Sequence, residues 1–131
     1  MRFPPFWLLL GAALALSLLA PGCALPAFDP AVNDRLAALE IDAQGLRAAC
    51  PAVQAGDFQA LARGAAVARA AVAYRPGAGP VLEALTALKA MIDPPLGLYR
   101  QGAASEAFCL ASMDNIIAGV DKVLRAYGGL K

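Results

Sequence analysis

The chain contains no histidine. That absence removes the commonest general base and the commonest transition-metal ligand together. Its three cysteines, Cys23, Cys50 and Cys109, include no close Cys-X-X-Cys pair, the spacing that supports a thiol redox centre. Charge is sparse too, with only 16% of residues Asp, Glu, Lys or Arg. Beyond Arg2, ten basic side chains balance ten acidic ones, which withholds the electrostatic support that nucleic-acid binding needs. The acid-free stretch Phe58 to Leu82 holds Arg63, Arg69 and Arg75. A step of six residues turns about 240° around a helix, so these arginines form no single stripe and read as a solvated helix surface. No run alternates apolar and polar residues, and the β-branched residues are scattered, so no strand is expected. There is no internal repeat.

The longest apolar run, Phe6 to Ala20, spans 15 residues. A helix needs roughly 20 to cross the bilayer core, and Pro21-Gly22 breaks this run early, which disfavours a permanent transmembrane anchor. A basic start at Arg2, the apolar stretch and a small-residue exit follow the order of a secretory signal. The exit reads Leu18-Leu19-Ala20-Pro21-Gly22-Cys23. It resembles the lipobox of bacterial lipoprotein precursors, in which a Leu or similar residue, a small residue and then Gly or Ala precede an acylated cysteine. Gly22 and Cys23 match that pattern, whereas Ala20 stands where Leu is usual and Pro21 departs from it.

The resemblance covers the first 23 residues. It implies a diacylglyceryl group on Cys23, cleavage before it and usually a third acyl chain, and so a lipid-anchored, periplasm-facing protein of the cell envelope. Several acyl chains together hold a protein on a membrane almost permanently. Ala24 stands where an aspartate retains many Gram-negative lipoproteins in the inner membrane, so the resemblance favours the outer membrane. Ordinary secretory cleavage after Ala24 is the alternative reading of the same small residues. The expected organisation is a signal peptide over residues 1–22, a tether over 23–28 and one helical domain over 29–131, since 109 residues from Cys23 onward suffice for one modest core.

Four helices are expected. Asp29-Pro30 starts the first, with the carboxylate capping free amides and Pro30 in the first turn. Its apolar stripe is Val32, Leu36, Leu39, Ala43, Leu46 and Cys50, and Pro51 ends it. A second start at Asp57 leads through Phe58, Leu61, Ala65, Ala68 and Val72 to about Tyr74, with Ala60, Gly64, Ala68 and Ala71 permitting close approach by a neighbour. After the turn Arg75 to Pro80, the third helix runs from Pro80 to about Ile92, where Asp93-Pro94-Pro95 is expected to stop it. Leu96 to Ala104 reads as a connection. Ser105 caps the last helix, whose face carries Cys109, Met113, Ile116, Ile117, Val120, Val123, Leu124 and Tyr127, the largest share of core in the chain. Gly128-Gly129 ends it.

Cys23 aside, two thiols remain in a chain that the signal directs to an oxidising compartment. Cys50 closes the core stripe of the first helix and Cys109 opens that of the last. A bond between them requires those two helices to lie antiparallel, which an up-down-up-down four-helix bundle provides and a three-helix bundle does not. Closing the 58 residues between them stabilises by about 4 kcal/mol on the loop-closure account.

Catalytic chemistry finds little material. Ser105 beside Glu106, and Ser112 near Asp114, are hydroxyls near carboxylates without a histidine, and capping or solvation accounts for them. Asp114-Asn115 is the densest polar pair of the last helix. Asp34, Glu40 and Asp42 show no ligand spacing that recurs on another helix, and Tyr74, Tyr99 and Tyr127 read as rim residues covering the core. No enzyme activity, cofactor or metal is expected. A lipidated cysteine, about one hundred residues, amphipathic helices and one disulfide are similar in architecture to the small helical pilotins of bacterial secretion systems. Phage-type lipoproteins and envelope immunity proteins share the same outline. The expectation is a membrane-tethered protein working through contacts with an envelope protein; the alternative is a bundle holding a small apolar ligand in a cavity left beside a short third helix.

Overall fold

The computed structural model describes residues 25–102 and 104–131. The signal peptide expected over 1–22, the acylation expected at Cys23 and the sorting role expected of Ala24 lie outside the described residues. Four helices follow one another: α1 (Pro30–Ala49), α2 (Ala55–Val72), α3 (Gly79–Gln101) and α4 (Glu106–Gly128). Each packs on its sequence neighbours, and α4 returns to pack on α1, which closes an up-down-up-down bundle. The Cys50–Cys109 disulfide joins the end of α1 to the start of α4, with Cα atoms 5.8 Å apart.

Local chemistry sets most helix ends. Asp29 caps α1, its Oδ1 accepting from the Ala31 N–H at 2.9 Å, with Pro30 as the first helical residue. Ser105 caps α4, its Oγ accepting from the Phe108 N–H at 3.2 Å. The start of α2 differs from expectation. Asp57 is its third residue rather than its cap, and its carboxylate reaches back to accept the Gln54 N–H at 2.8 Å. An acid satisfies an orphan amide from either position, and composition alone does not distinguish them.

The third helix is the main correction. It does not stop at Asp93-Pro94-Pro95 but continues to Gln101, so most of the expected connection from Leu96 is helix. A proline inside a helix removes one backbone bond and costs roughly 3 kcal/mol. The opposing gain is visible in the burial pattern: after Val81, Leu85, Leu88 and Ile92, the same face buries Pro95, Leu96 and Tyr99. Burying one large apolar side chain contributes about 1.5–3 kcal/mol. The Tyr99 ring also lies 4.8 Å from that of Phe58 and 6.4 Å from that of Phe108. Gly102, at φ 149°, supplies the backbone conformation that turns the chain after α3.

With α3 as long as α4, the two helices bury eight residues each. The fourth still dominates the interior by size, supplying Cys109, Met113, Ile116, Val120, Val123 and Tyr127 among the twelve largest fully enclosed side chains. Ile117 and Leu124, expected on this face, are only half-buried at its edges. Gly119 allows α3 and α4 to close on each other: a Cβ there would sit 2.8 Å from Met91 Sδ and 3.0 Å from a Leu88 methyl.

This burial pattern predicts that Val120→Asp abolishes cooperative unfolding of the domain, because an unpaired carboxylate in the core costs several kcal/mol against a total of about 5–15. Ile117→Asp, at the edge, is tolerated with a lowered Tm. Asp121→Ala removes only an exposed i,i+4 pair with Arg125 and shifts stability by less than about 0.5 kcal/mol. Thermal melts of the three variants check the order.

Candidate functional site

The densest polar arrangement gathers where the chain enters the bundle, at the end formed by the start of α1, the α2–α3 turn and the end of α4. Arg75, just beyond α2, is its centre, with a side chain only 7% exposed. Its Nε donates to the Ala71 carbonyl at 2.9 Å, one Nη to the Pro26 carbonyl at 2.8 Å and the other to Asp29 Oδ2 at 2.9 Å. The planar guanidinium thereby ties α2, the linker and the α1 cap with charge-assisted bonds. Tyr127, fully buried near the end of α4, completes the clamp. Its hydroxyl accepts from the Asp29 N–H at 2.8 Å and donates to the Asp29 carbonyl at 3.2 Å. Phe28 stacks on the Tyr127 ring at 5.1 Å, and the Lys131 ammonium lies 5.0 Å over Phe28. Residues 26–28, expected as tether, are therefore bound to the bundle.

The three tyrosines diverge from their common expectation. Tyr127 is core, as its place on the apolar face of the last helix implies, Tyr74 is 87% exposed, and Tyr99 is buried within α3. The Tyr99 hydroxyl has no hydrogen-bond partner among the described residues, and burial pushes its pKa up. Arg75, expected as part of a solvated surface, is the least solvated of the charged groups described above. Its pairing with Asp29 bridges 46 residues and leaves no periodic signature in the sequence.

At the opposite end, beside the disulfide, Arg47 of α1 pairs with Asp114 of α4 through Nε and Nη2. The hydrogen bond from Arg47 holds the Asp114 carboxyl below its ordinary value, and the same bond raises the Arg47 guanidinium. Asp114 is thus an exposed cross-helix partner, while Asn115 remains on the outer face. Ser105 serves as a helix cap, and Ser112 is buried in α4. The other expected polar groups stay dispersed: Asp34 and Asp42 are exposed on α1, and Glu40 accepts from the Gln44 amide there. No group of three or more acidic, cysteine or histidine residues that could hold a metal occurs among the described residues.

The depressions between helices are open to solvent. One groove of about 390 Å³ runs between α2 and α3 past Ala62, Ala66, Leu85 and Arg69, the last bonded to Thr86 Oγ1 at 2.6 Å. Between α1 and α2, two depressions share Asp42 and Ala60 and reach from Arg35 to Leu46. Gly64 lies in this furrow with Leu39 packed against it, so a Cβ there would sit 2.9 Å from a Leu39 methyl. A cavity beside a short third helix, the premise of the ligand-binding alternative, loses its basis because α3 extends to Gln101. No described helix is long and apolar enough to cross a membrane. Compared with known protein families, curated proteins and solved structures, the chain matches none of them.

Two hydroxyls with opposite surroundings give opposite expectations. Tyr127→Phe leaves the Asp29 N–H without its partner, while the Asp29 carbonyl keeps the Val32 and Asn33 N–H groups, and lowers stability by about 1–3 kcal/mol, whereas Tyr99→Phe removes an unsatisfied buried hydroxyl and leaves stability equal or higher. Denaturant melts compare them directly. The Arg47–Asp114 pair gives a pH signature. A carboxyl depressed in the folded state stabilises fully above its unfolded pKa of about 3.9, and that contribution fades as pH falls through the lower folded value. Asp114→Asn therefore lowers Tm slightly at neutral pH in low salt, and the difference from wild type disappears in acid and in high salt.

Proposed function

We propose that this chain is a lipid-anchored protein of the bacterial cell envelope, held on the membrane through acylated Cys23 and working through contacts with another envelope protein. The observation that carries this reading is the sequence Leu18 to Cys23, small residues and a cysteine closing a 15-residue apolar run. The Cys50–Cys109 disulfide supports it independently, because such structural bonds persist in oxidising compartments and are rare in the cytosol. The bundle's immediate proximity to Cys23 fits as well: Pro26, three residues on, is already bound to Arg75. On this reading the domain is the soluble body of an anchored accessory protein, in the manner of a pilotin, an immunity protein or a phage-type lipoprotein. The resemblance of the leader favours the outer membrane and a periplasm-facing body.

Expression of the full chain in a bacterium fed labelled fatty acid tests the anchor. The wild type is expected to carry label and to migrate faster than its precursor, whereas Cys23→Ser retains neither label nor the processed size. Equal labelling of the two, or a processed wild type without label, overturns the reading in favour of ordinary secretory cleavage.

A further inference from the structure

Resting on acylation of Cys23, we propose that the bundle stands end-on against the phospholipid surface, with the α2–α3 turn facing the headgroups, Tyr74 among them and the disulfide end held away. The first observation is length. Pro26 is three positions on from Cys23, a span of at most about 11 Å. Pro26 does not swing freely, since Arg75 binds its carbonyl at 2.8 Å and pairs with Asp29 at 2.9 Å. Tyr127 fixes Asp29 from the other side through both backbone groups. The acyl chains therefore join the molecule beside one particular end of the bundle. The opposite end is about 30 Å away, the length of the 20-residue helix α1.

The second observation is the character of that end. Two large hydrophobic residues are exposed there, Tyr74 at 87% and Leu25 at 50%, against Leu98 at 48% toward the opposite end, so Tyr74 sets this end apart. A tyrosine is suited to the headgroup level, with an apolar ring and a polar tip. The turn Ala73 to Ala78 contains Arg75 and no acidic residue. The carboxylate of Asp29 is taken up by Arg75, while Asp34 and Glu83 lie farther into α1 and α3. Little fixed negative charge thus opposes an anionic lipid surface. Lys131, over the Phe28 ring at the same end, adds a cation.

The single tryptophan, Trp7, lies within the signal peptide, so the processed protein offers a clean background for one introduced probe. Full chains carrying Tyr74→Trp or, at the far end, Gln101→Trp are produced in bacteria, purified with their lipid and reconstituted into phosphatidylethanolamine–phosphatidylglycerol vesicles with brominated acyl chains. The Trp at 74 is expected to shift to shorter wavelength and to be quenched several-fold more than the Trp at 101. Adding Arg75→Ala, which frees Pro26 and removes the ion pair to Asp29, is expected to reduce that contrast. Fatty-acid labelling and vesicle flotation of the same samples separate the two levels of inference. Unlabelled protein that fails to float overturns the anchor and the orientation together. Labelled, floating protein with equal quenching at both positions, or with none, overturns the orientation alone. A Trp at 74 that is shielded in native membranes yet unquenched in pure lipid vesicles assigns this end to a protein partner and equally overturns the proposal.

Discussion

The disulfide between Cys50 and Cys109 is the constraint on which the rest of the bundle depends. It joins the first helix to the last, the one pair of neighbours that no short turn connects. The seam between α1 and α4 must otherwise be found across a sequence separation of 59, and loop closure makes such a contact expensive in entropy. A bond that stabilises by about 4 kcal/mol is a large fraction of the 5–15 kcal/mol typical of a whole domain. Its position matters as much as its size. With α1 and α4 held antiparallel, α2 and α3 occupy the remaining side of the bundle, and each short turn falls at an end. The Arg47–Asp114 pair adjoins the same junction, so charge reinforces the pairing that the sulfur atoms impose.

The far end of that seam has no covalent bond, and a polar clamp serves there instead. Tyr127 and Asp29 exchange two hydrogen bonds across 98 residues, and Arg75 brings the end of α2 into the same arrangement. Buried polar groups stabilise only when fully paired. Here the tyrosine hydroxyl both donates and accepts, and the guanidinium reaches three separate acceptors. The two ends of α1 are thus secured by different physics. One requires oxidation, and the other requires the linker itself to be in place, because Pro26 and Asp29 are among the groups that satisfy Arg75.

The fold was legible where local rules and long-range packing agree. The four-three stepping of Val32, Leu36, Leu39 and Ala43, the caps Asp29 and Ser105, and the placement of Cys50 and Cys109 on facing stripes all carried through to the observed helices. Reading failed where they conflict. Pro94-Pro95 is a strong local stop signal, yet Leu96 and Tyr99 continue the buried face of α3 and prevail. The partners of Arg75 and of the Tyr127 hydroxyl leave no signal for a related reason: a charge or a hydroxyl says nothing by itself about a partner many residues away. The site at Cys23 stands differently. It is read from sequence chemistry alone, and the structural contribution lies in what adjoins it, the linker held at Pro26.

The distribution of side-chain size explains where the surface departs from smoothness. The fourth helix fills its side of the interior with methionine, isoleucine, valine and tyrosine, whereas α2 buries Phe58, Leu61 and Val72 toward its ends and meets its neighbours between them through Ala65, Ala68 and Gly64. Small residues allow helices to approach closely but leave their outer flanks unfilled. The open groove against α3 and the furrow against α1 both border α2 for this reason. Alanine has the highest helix propensity, so the middle of α2 remains helical while contributing little bulk to the core. Shape is therefore offered to solvent along the flanks of α2, while a disulfide at one end and a polar clamp at the other secure the α1–α4 seam across the bundle. That separation lets the surface of α2 vary in sequence without disturbing either of the two attachments, covalent and polar, that hold the bundle closed.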